Sequence, residues 1–532
     1  MPRILLNKND VLTLVGKKIS DKELENSIPL LGTDLNSVTK DSIDVEIFPN
    51  RPDMLSEEGF ARALSSFLGI KIGLKDYVTN KSDYHIINEK KSGVEFFSAA
   101  VVKGLKFTES SLKSLMNLQE KLHATHGRNR KRLATGVYDL SKIKFPLVLT
   151  SKPRSFEFQA LDDKKPRSID EILEKHPKGK NFSHLVKDKA SVWMDANGQV
   201  LSMPPVINSE PTKVSLNTHD VFIEVTGNNK DAVEKALNIQ LSALADRGGK
   251  IYKIDGMPNL SPLRIKINVE RINNLLGLNL SKREFSLLAS KMGLKFSDDY
   301  VYYPAYRADI LHEVDIAEDI AIAYGYQNFT PVIPSISTLG QEDLFERFKD
   351  KIANLCIGLG LQEVCTYHLS NRTDETTKMN KTFDVVNIKN SISEEYNILR
   401  PWLVPSLIKV LASNCHNEYP QRIFDIGKIF VKKNSDVNEP VSLTVAISHS
   451  TTDYTEIKKI LDAILLSLGI TPNYKQGNHL SFIPGRFANV SIKNNDIAFI
   501  GEIHPEILNN FNISMPITVF ELNLSEIFKI VY

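Results

Sequence analysis

The chain has 532 residues, with 66 Lys or Arg against 64 Asp or Glu, and its formal net charge of +2 excludes a polycationic protein. Hydrophobic residues make up 42% and charged residues 24%, which excludes fibrous, collagen-like and wholly disordered chains. At about 150 residues per domain, the length predicts roughly three to four domains, and any nucleic-acid surface has to be local.

The first 85 residues are expected to form a small mixed domain. Alternating apolar and polar residues at 42–47 predict a half-buried strand, and two prolines stop it. A helix is predicted to begin near Asp53 or Ser56, either of which can cap it. The polar, lysine-rich segment 74–92 is typical of a linker.

Residues 93–258 are expected to form a larger α/β unit. Helical spacing predicts helices at 110–124 and 231–244. The segment 151–189 is rich in Lys, Asp and Pro, which predicts a long surface excursion. Strand-like pieces are found at 96–102, 145–149, 191–193 and 221–226.

Turn-forming residues around 257–262 predict the next boundary, followed by a compact unit at 263–329. A second Pro-rich boundary precedes the last unit, 335–532. That unit begins with a predicted helix at 345–359 and continues as alternating strands and helices. The sequence therefore predicts a multidomain α+β protein.

Three cysteines, none in a CxxC pair, exclude a disulfide framework and a CxxC zinc site, and they favour a reducing compartment. The N-terminus has no apolar run typical of a signal peptide. No segment approaches the ~20 apolar residues that a membrane span needs. We therefore expect a cytoplasmic protein with no membrane partner.

The acidic segment that begins at Asp309 is the sharpest local pattern. Apolar spacing from Ile310 onward predicts an amphipathic helix, and Asp315, Glu318 and Asp319 share one of its faces. Carboxylate oxygens in such a cluster suit Mg²⁺. The alternative is a solvated acidic face at the start of a helix, which residue types alone favour.

Two segments have the features of a small-molecule pocket. Two prolines stiffen residues 202–210 and would hold Asn208 in a fixed position. Glu224 and Thr226 point to the same side of a predicted strand. Without further context a surface hairpin remains the simpler interpretation. A basic run at 121–132 could contact phosphates, although a solvated loop is at least as good an explanation.

Taken together in chain order, these segments resemble the beta subunit of phenylalanyl-tRNA synthetase, of the shorter archaeal and eukaryotic cytosolic type. The resemblance spans nearly the whole chain and depends on order and spacing, since no single motif is decisive. The segments that carry it are 48–53, 127–130, 136–140, 204–208, 224–227, 424–428 and 501–505, with Asp309, Asp315, Glu318 and Asp319.

The resemblance implies a domain for each unit. Residues 93–258 would be an editing module, and 263–329 a small helical or winged-helix-like domain that carries magnesium ligands Asp309, Asp315, Glu318 and Asp319. Residues 335–532 would be a class II synthetase-like antiparallel-sheet domain without catalytic residues, which docks the alpha subunit. Two alpha and two beta chains would charge tRNA(Phe) with phenylalanine using ATP, and the alpha subunit would hold the synthetic site.

The resemblance also implies hydrolysis of mischarged tyrosyl-tRNA(Phe). A synthetic pocket shaped for an apolar ring cannot strongly reject an added hydroxyl, so a second pocket that accepts a hydrogen bond from the phenol improves discrimination. Glu224 is the candidate acceptor. Thr226, Asn208 and Ser202 are candidates to hold the amino group or the attacking water. No Ser or Cys nucleophile with a His base is evident, which predicts attack by a positioned water.

Two departures bear on this pocket. Tyr138 stands where the family is expected often to have histidine, and Glu224 is a candidate replacement for an aspartate. A non-editing scaffold subunit of the same complex is therefore the main alternative. A magnesium-dependent hydrolase that uses the acidic helix is a third, unrelated one.

Overall fold

The computed structural model describes residues 2–532 apart from Ser337, Ser435 and Asn494. The chain divides into two compact units, Met1–Ile333 and Pro334–Tyr532. Helices and strands alternate in both, so the predicted multidomain α+β class is confirmed. Within the described residues, no helix is both long enough and apolar enough to cross a bilayer.

The first unit begins with a three-stranded antiparallel sheet whose core also takes in α1, α2 and α3. Ser56, one of the two predicted caps, accepts a hydrogen bond from the Gly59 amide and starts α3. The elements are β1 (Arg3–Asn7), α1 (Lys8–Val15), α2 (Asp21–Leu30), β2 (Asp34–Val38), β3 (Ser42–Glu46) and α3 (Glu57–Phe67).

The middle of the first unit contains two five-stranded sheets. Its elements are β4 (Thr79–Asn80), β5 (Ile86–Asn88), β6 (Phe96–Lys103), α4 (Glu109–Ala124), β7 (Leu133–Asp139), β8 (Leu147–Pro153), β9 (Glu157–Phe158), β10 (Arg167–Ser168), α5 (Ile169–Lys175), α6 (Pro177–Phe182), β11 (Lys189–Met194), β12 (Val200–Met203), β13 (Ile207–Asn208), β14 (Val221–Gly227), α7 (Lys230–Asp246) and β15 (Lys250–Tyr252).

The two sheets face each other across an apolar and aromatic core. The first has strand order β4-β15-β6-β14-β7, and the second has order β13-β12-β11-β8-β5. Helix α7 covers the outer face of the first sheet, and α5 covers the outer face of the second. Trp193 and Phe222 meet between the sheets, with ring centroids 6.0 Å apart. Polar side chains that face inward are therefore enclosed from both sides.

Two sequence predictions for this region are wrong. Segment 151–189 is not a simple surface excursion, because Phe158, Ile169, Ile172 and Leu173 are buried in the core of the second sheet. The predicted linker 74–92 contributes edge strands β4 and β5, one to each sheet. Strands of two or three residues leave no periodic pattern, so neither was visible in the sequence.

The last part of the first unit packs three helices around a three-stranded antiparallel sheet. Helix α10 begins at Glu313, three residues later than its apolar spacing predicts, because His312 and Asp315 form a capping box there. The elements are β16 (Leu263–Lys266), α8 (Val269–Leu276), α9 (Lys282–Lys291), β17 (Lys295–Ser297), β18 (Tyr300–Tyr303) and α10 (Glu313–Tyr324).

The second unit is built on a seven-stranded sheet of order β19-β23-β26-β30-β29-β28-β27, antiparallel except for the β19–β23 pair. Its elements are α11 (Leu344–Gly358), β19 (Gln362–Glu363), β20 (Leu369–Ser370), β21 (Val386–Asn387), β22 (Ile398–Leu399), α12 (Val404–Ser413), β23 (Gln421–Lys428), β24 (Val431–Lys433), β25 (Asp436–Asn438), β26 (Val441–Ser448), α13 (Tyr454–Ser467), β27 (Asn473–Gln476), β28 (Phe482–Ile492), β29 (Asn495–Ile503), α14 (Pro505–Asn510), β30 (Ile517–Asn523) and α15 (Leu524–Val531).

Candidate functional site

Strand β14 places Glu224 and Thr226 on the face of the first sheet that looks toward the second sheet. Ile223 and Val225 point the other way, into the core beneath α7, because side chains alternate along a strand. Glu224 and Thr226 are both buried, at 2% and 4% exposure. The sequence predicted that Glu224 and Thr226 point to the same side of the strand. That side faces the interior between the two sheets.

Glu224 is hydrogen-bonded by a tyrosine of its own chain. Tyr138 on β7 donates from Oη to Glu224 Oε1 at 2.9 Å, and the same Oη is hydrogen-bonded to Ser202 Oγ at 2.7 Å. Tyr138 and Glu224 belong to the first sheet, whereas Ser202 lies on β12 of the second. The phenol thus bridges the two sheets at the position of the candidate acceptor.

Gly136 makes this reach possible. It lies two residues before Tyr138 on the same face of β7 and pairs with Glu224 on β14. A Cβ atom at Gly136 would collide with Tyr138 Oη and would lie 2.8 Å from Glu224 Oε1. Because glycine leaves this space empty, the tyrosine ring leans across it, as aromatic residues do over glycines in sheets. The ring also stacks on Phe222 at 5.8 Å.

Glu224 sits in an environment that disfavours its charge. Burial raises the pKa of its carboxyl to about 8, only partly offset by the Tyr138 phenol and the nearby Trp193 indole. Its second oxygen, Oε2, has no hydrogen-bond partner among the described residues. A buried acceptor with one free oxygen is costly, and such groups are often found where a ligand binds.

The structure brings three of the four predicted pocket residues together. Glu224, Ser202 and Asn208 line one small cavity of about 10 Å³, close to the minimum that holds a single water molecule. The fourth, Thr226, lies farther along β14 and lines an adjoining groove instead. The cavity is also lined by Arg130, Ala134, Thr135, Pro204, Pro205 and Ile207.

The adjoining groove has a cavity volume of about 230 Å³ and shares Arg130, Ala134, Pro204 and Pro205 with the small cavity. The groove and the cavity are therefore adjacent. A cluster of cations suits the phosphates of an RNA end. The cationic side chains along the groove are those of Arg130, Lys131, Arg132, Lys187 and Lys189.

Arg130 holds the wall between groove and cavity. Its guanidinium donates to the backbone oxygens of Pro205 and Val206 at 3.1 and 2.8 Å and to Glu120 at 3.1 Å. The side chain is only 6% exposed. The residues of the basic run therefore differ in role. Arg130 is buried and hydrogen-bonds to the Pro204–Pro205 segment, whereas Lys131 is exposed.

The acidic segment is neutralised from within the chain. Arg307, at 3% exposure, donates to both Asp309 oxygens at 2.8 and 2.7 Å and to Asp319 Oδ2 at 2.9 Å. Burial would raise the pKa of Asp309, but Arg307 and Arg51 outweigh it and lower that pKa. For Asp319 burial prevails, and its pKa is raised.

The other two predicted ligands are engaged elsewhere or face outward. Asp315 accepts from the backbone amides of Leu311 and His312 at 2.7 Å each, and Glu318 is exposed. No group of three or more His, Cys, Asp or Glu that could hold a metal ion occurs in the described part of the chain. This arrangement therefore does not fit a magnesium site, and the four ligands remain a prediction from the resemblance.

Comparison with known proteins matches three regions of the chain to family models. The sequence matches the family models of the B3/4 domain at residues 95–248, the tRNA synthetase B5 domain at 265–326 and the phenylalanyl tRNA synthetase beta chain CLM domain at 330–524. It is 38% identical to the phenylalanine–tRNA ligase beta subunits of Thermococcus onnurineus and Archaeoglobus fulgidus, over 99% of each chain. The chain belongs to the phenylalanyl-tRNA synthetase beta-subunit family.

A solved structure agrees with this assignment for the first part of the chain. An N-terminal fragment of the phenylalanyl-tRNA synthetase beta subunit from Pyrococcus horikoshii aligns with a TM-score of 0.58 at 36% identity, over 61% of this chain and 99% of the fragment. The predicted resemblance is confirmed, and the protein is an aminoacyl-tRNA ligase subunit. Ligases of this family generally use Mg²⁺.

Sequence reasoning missed two residues of the beta-subunit pocket. Tyr138 was singled out as a departure, but its contact with Glu224 was not predicted, and Arg130 was counted only as part of a basic run. One signal was available for Tyr138, because a glycine two residues before an aromatic residue on one strand face leaves room for its ring. Nothing local marks Arg130 as buried.

Proposed function

We propose that this chain assembles with the alpha subunit, two of each, to charge tRNA(Phe) with phenylalanine using ATP, while the alpha subunit holds the synthetic site. We further propose that the groove and cavity of this chain receive the aminoacylated 3′ end of tRNA(Phe) and hydrolyse mischarged tyrosyl-tRNA(Phe). The observation that carries the proposal is the cationic groove next to a small cavity lined by the buried Glu224 carboxyl, the buried Ser202 hydroxyl and the Asn208 amide.

Each part of the site would have a distinct task. The groove cations hold the terminal phosphates, and the buried carboxyl of Glu224 accepts the phenol hydrogen of a tyrosyl group. A phenylalanyl group would leave that acceptor unpaired, at a cost of about 1–3 kcal/mol. Asn208, Ser202 and Thr226 would hold the amino group or a water molecule.

The hydrolytic step needs no reactant beyond water. The water oxygen attacks the ester carbonyl carbon, the bond from that carbon to the ribose oxygen breaks, and one water proton passes to the departing ribose oxygen, which leaves as a hydroxyl. Neither cavity nor groove includes a cysteine or histidine among its described lining residues. Positioning of the water by the pocket and by the tRNA's own terminal hydroxyls is therefore the proposed source of rate.

The domain assignments from the resemblance are part of the same proposal, with residues 1–85, 93–258, 263–329 and 335–532 as its four domains. In the last of these, Arg400 is 1% exposed and donates to the backbone oxygen of Lys428 at 2.9 Å. Arg422 pairs with Glu456, and Arg486 pairs with Glu502. Arginines already paired in this way support a docking scaffold rather than an ATP site.

A non-editing scaffold is the second candidate function. It is favoured by the hydrogen bond from Tyr138 to Glu224, since the acceptor is already in use. The two candidates share assembly and tRNA binding, and they differ only in the release of tyrosine.

The test uses the complex purified after co-expression with the cognate alpha chain. We expect it to charge tRNA(Phe) and to release tyrosine from tyrosyl-tRNA(Phe) faster than buffer does. The double variant Lys131→Glu and Lys187→Glu should slow that release. Lys17→Glu with Lys18→Glu, which makes the same charge change at exposed positions outside the groove, should not. Failure to bind the alpha chain, or equal effects of the two double variants, would contradict the proposal.

A further inference from the structure

We infer that Tyr138 is a specificity-determining residue whose phenol occupies the place of the substrate phenol on Glu224. A tyrosyl group is then admitted only when the Tyr138 ring is displaced. This inference rests on the proposed function of the pocket. The Tyr138 ring would limit the rate at which tyrosyl-tRNA(Phe) is hydrolysed.

The chemistry of the contact matches the proposed recognition. The pocket is proposed to distinguish tyrosine from phenylalanine by a phenol O–H donated to a buried carboxyl. That hydrogen bond already exists within the chain, from Tyr138 Oη to Glu224 Oε1 at 2.9 Å. Because Tyr138 is fully buried and also bonded to Ser202, its phenol competes for the acceptor as an intramolecular ligand at high effective concentration.

The space available points the same way. With Tyr138 in place, the cavity beside Glu224 measures about 10 Å³, which admits a water molecule but no aromatic ring. The room for a ring exists above Gly136, where a side chain of any other residue would collide with the Tyr138 hydroxyl. The ring of Tyr138 fills that room, so both the acceptor and the ring space are taken by one residue.

The ring and the hydroxyl can be separated by substitution. Tyr138→Phe removes the hydroxyl and keeps the ring, so the acceptor is freed while the space stays filled. Tyr138→Ala removes both, and Tyr138→His keeps a smaller, planar side chain that is too short to reach Glu224 from the same backbone position. These variants distinguish a filled pocket from a merely stabilising tyrosine.

The experiment measures deacylation of tyrosyl-tRNA(Phe) and of phenylalanyl-tRNA(Phe) by the alpha–beta complex, with charging activity as the control for folding. We expect Tyr138→Ala and Tyr138→His to raise the rate on tyrosyl-tRNA by about tenfold or more, a factor that corresponds to one freed hydrogen bond. Tyr138→Phe should stay near the parent rate. Glu224→Leu, which leaves no hydrogen-bond acceptor, should remove the gain when it is added to Tyr138→His.

The outcomes separate the inference from the function beneath it. A parent complex that already releases tyrosine rapidly, with no gain in either variant, would overturn the inference and leave the editing function standing. A gain that is equal on phenylalanyl-tRNA would show a loosened pocket and would also overturn it. If neither the parent nor the charging-competent Tyr138→His complex releases tyrosine, editing and inference fall together. Should Tyr138→Ala fail to fold, the deacylation rates of the Tyr138→His complex provide the test.

Discussion

The pocket at Glu224 and the acidic cluster at Asp309 and Asp319 form an instructive pair. At both places the family resemblance implies an external ligand, a phenol in one and Mg²⁺ in the other. At both places a side chain of the same chain is hydrogen-bonded to the groups predicted to bind that ligand. Tyr138 donates to Glu224, and Arg307 donates to Asp309 and Asp319.

The two internal partners differ in how completely they satisfy the acceptors. Arg307 brings a full positive charge and makes three hydrogen bonds, and Arg51 adds a second cation nearby. Tyr138 brings a neutral phenol, and it leaves Glu224 Oε2 without a partner and the carboxyl pKa at about 8. The first arrangement is typical of a structural ion pair, whereas the second retains the features of a binding site.

The largest expected effect is on stability at the acidic cluster. Arg307→Ala should lower the free energy of unfolding by about 3–5 kcal/mol, because it removes the cation to which the buried carboxyls of Asp309 and Asp319 are hydrogen-bonded. Urea unfolding of the chain measures this. The matched control is Arg271→Ala, which breaks an ion pair to Glu313 whose arginine is 73% exposed, and it should cost less than about 1 kcal/mol. Equal losses, or recovery of Arg307→Ala on adding Mg²⁺ alone, would contradict a structural cluster.

A smaller loss is expected for Tyr138→Phe. Removing the hydroxyl leaves Glu224 Oε1 and Ser202 without their shared partner, at a cost of about 1–3 kcal/mol in the free energy of unfolding. Tyr326→Phe, at a side chain that is 60% exposed, is the control and should change little. A Tyr138→Phe protein as stable as the parent would mean that the hydrogen bond to Glu224 contributes nothing.

The raised pKa of Glu224 predicts a pH dependence. The folded carboxyl, with a pKa of about 8, retains a proton that the unfolded one, at its ordinary 4.5, has lost. This group's contribution to stability is therefore complete below about pH 4.5 and is lost as the pH rises toward 8. Glu224→Gln has no carboxyl proton to lose. The free energy of unfolding of this variant minus that of the parent should therefore increase with pH, by up to about 1.4 kcal/mol per pH unit.

Melting temperatures at several pH values from 5 to 8 measure this difference. Glu318→Gln, at an exposed position of α10, provides the comparison with the same chemical change. A stability difference between Glu224→Gln and the parent that is constant with pH would show that the carboxyl is charged in the folded chain.

The smallest effect is expected at the groove. Lys131→Ala should weaken binding of tRNA(Phe) by less than about 1 kcal/mol and reduce the slope of log affinity against log salt by about one. Binding titrations at several salt concentrations measure the slope. An unchanged slope would remove Lys131 from the RNA path.

The sequence predicted those elements whose pattern is local. Strand β3 and helices α3 and α7 follow from alternation, helical spacing and the Ser56 cap. The gathering of Ser202 and Asn208 near Glu224 was proposed from the resemblance. The short strands β4, β5, β9 and β10 were missed because they owe their conformation to pairing rather than to their own residues.

The contacts that could not be predicted join segments that are far apart in the sequence. Tyr138 and Glu224 are 86 positions apart, and only the pairing of β7 with β14 brings them together. The spacing of Asp309 and Asp319 suggested a shared cation, but the orientation of Arg307 between them is set by tertiary packing. In both cases the residue types indicated the chemistry, and the fold decided which group supplied it.

The most direct test removes the Tyr138 ring by substitution and then adds the same group as free phenol. Tyr138→Ala removes a group that corresponds to one phenol molecule. A cavity left by such a substitution can bind a small aromatic molecule of the same size. We expect phenol to raise the melting temperature of this variant clearly more than benzene does, with the difference abolished by Glu224→Leu, which removes the acceptor. Equal stabilisation by phenol and benzene would contradict a phenol site at Glu224.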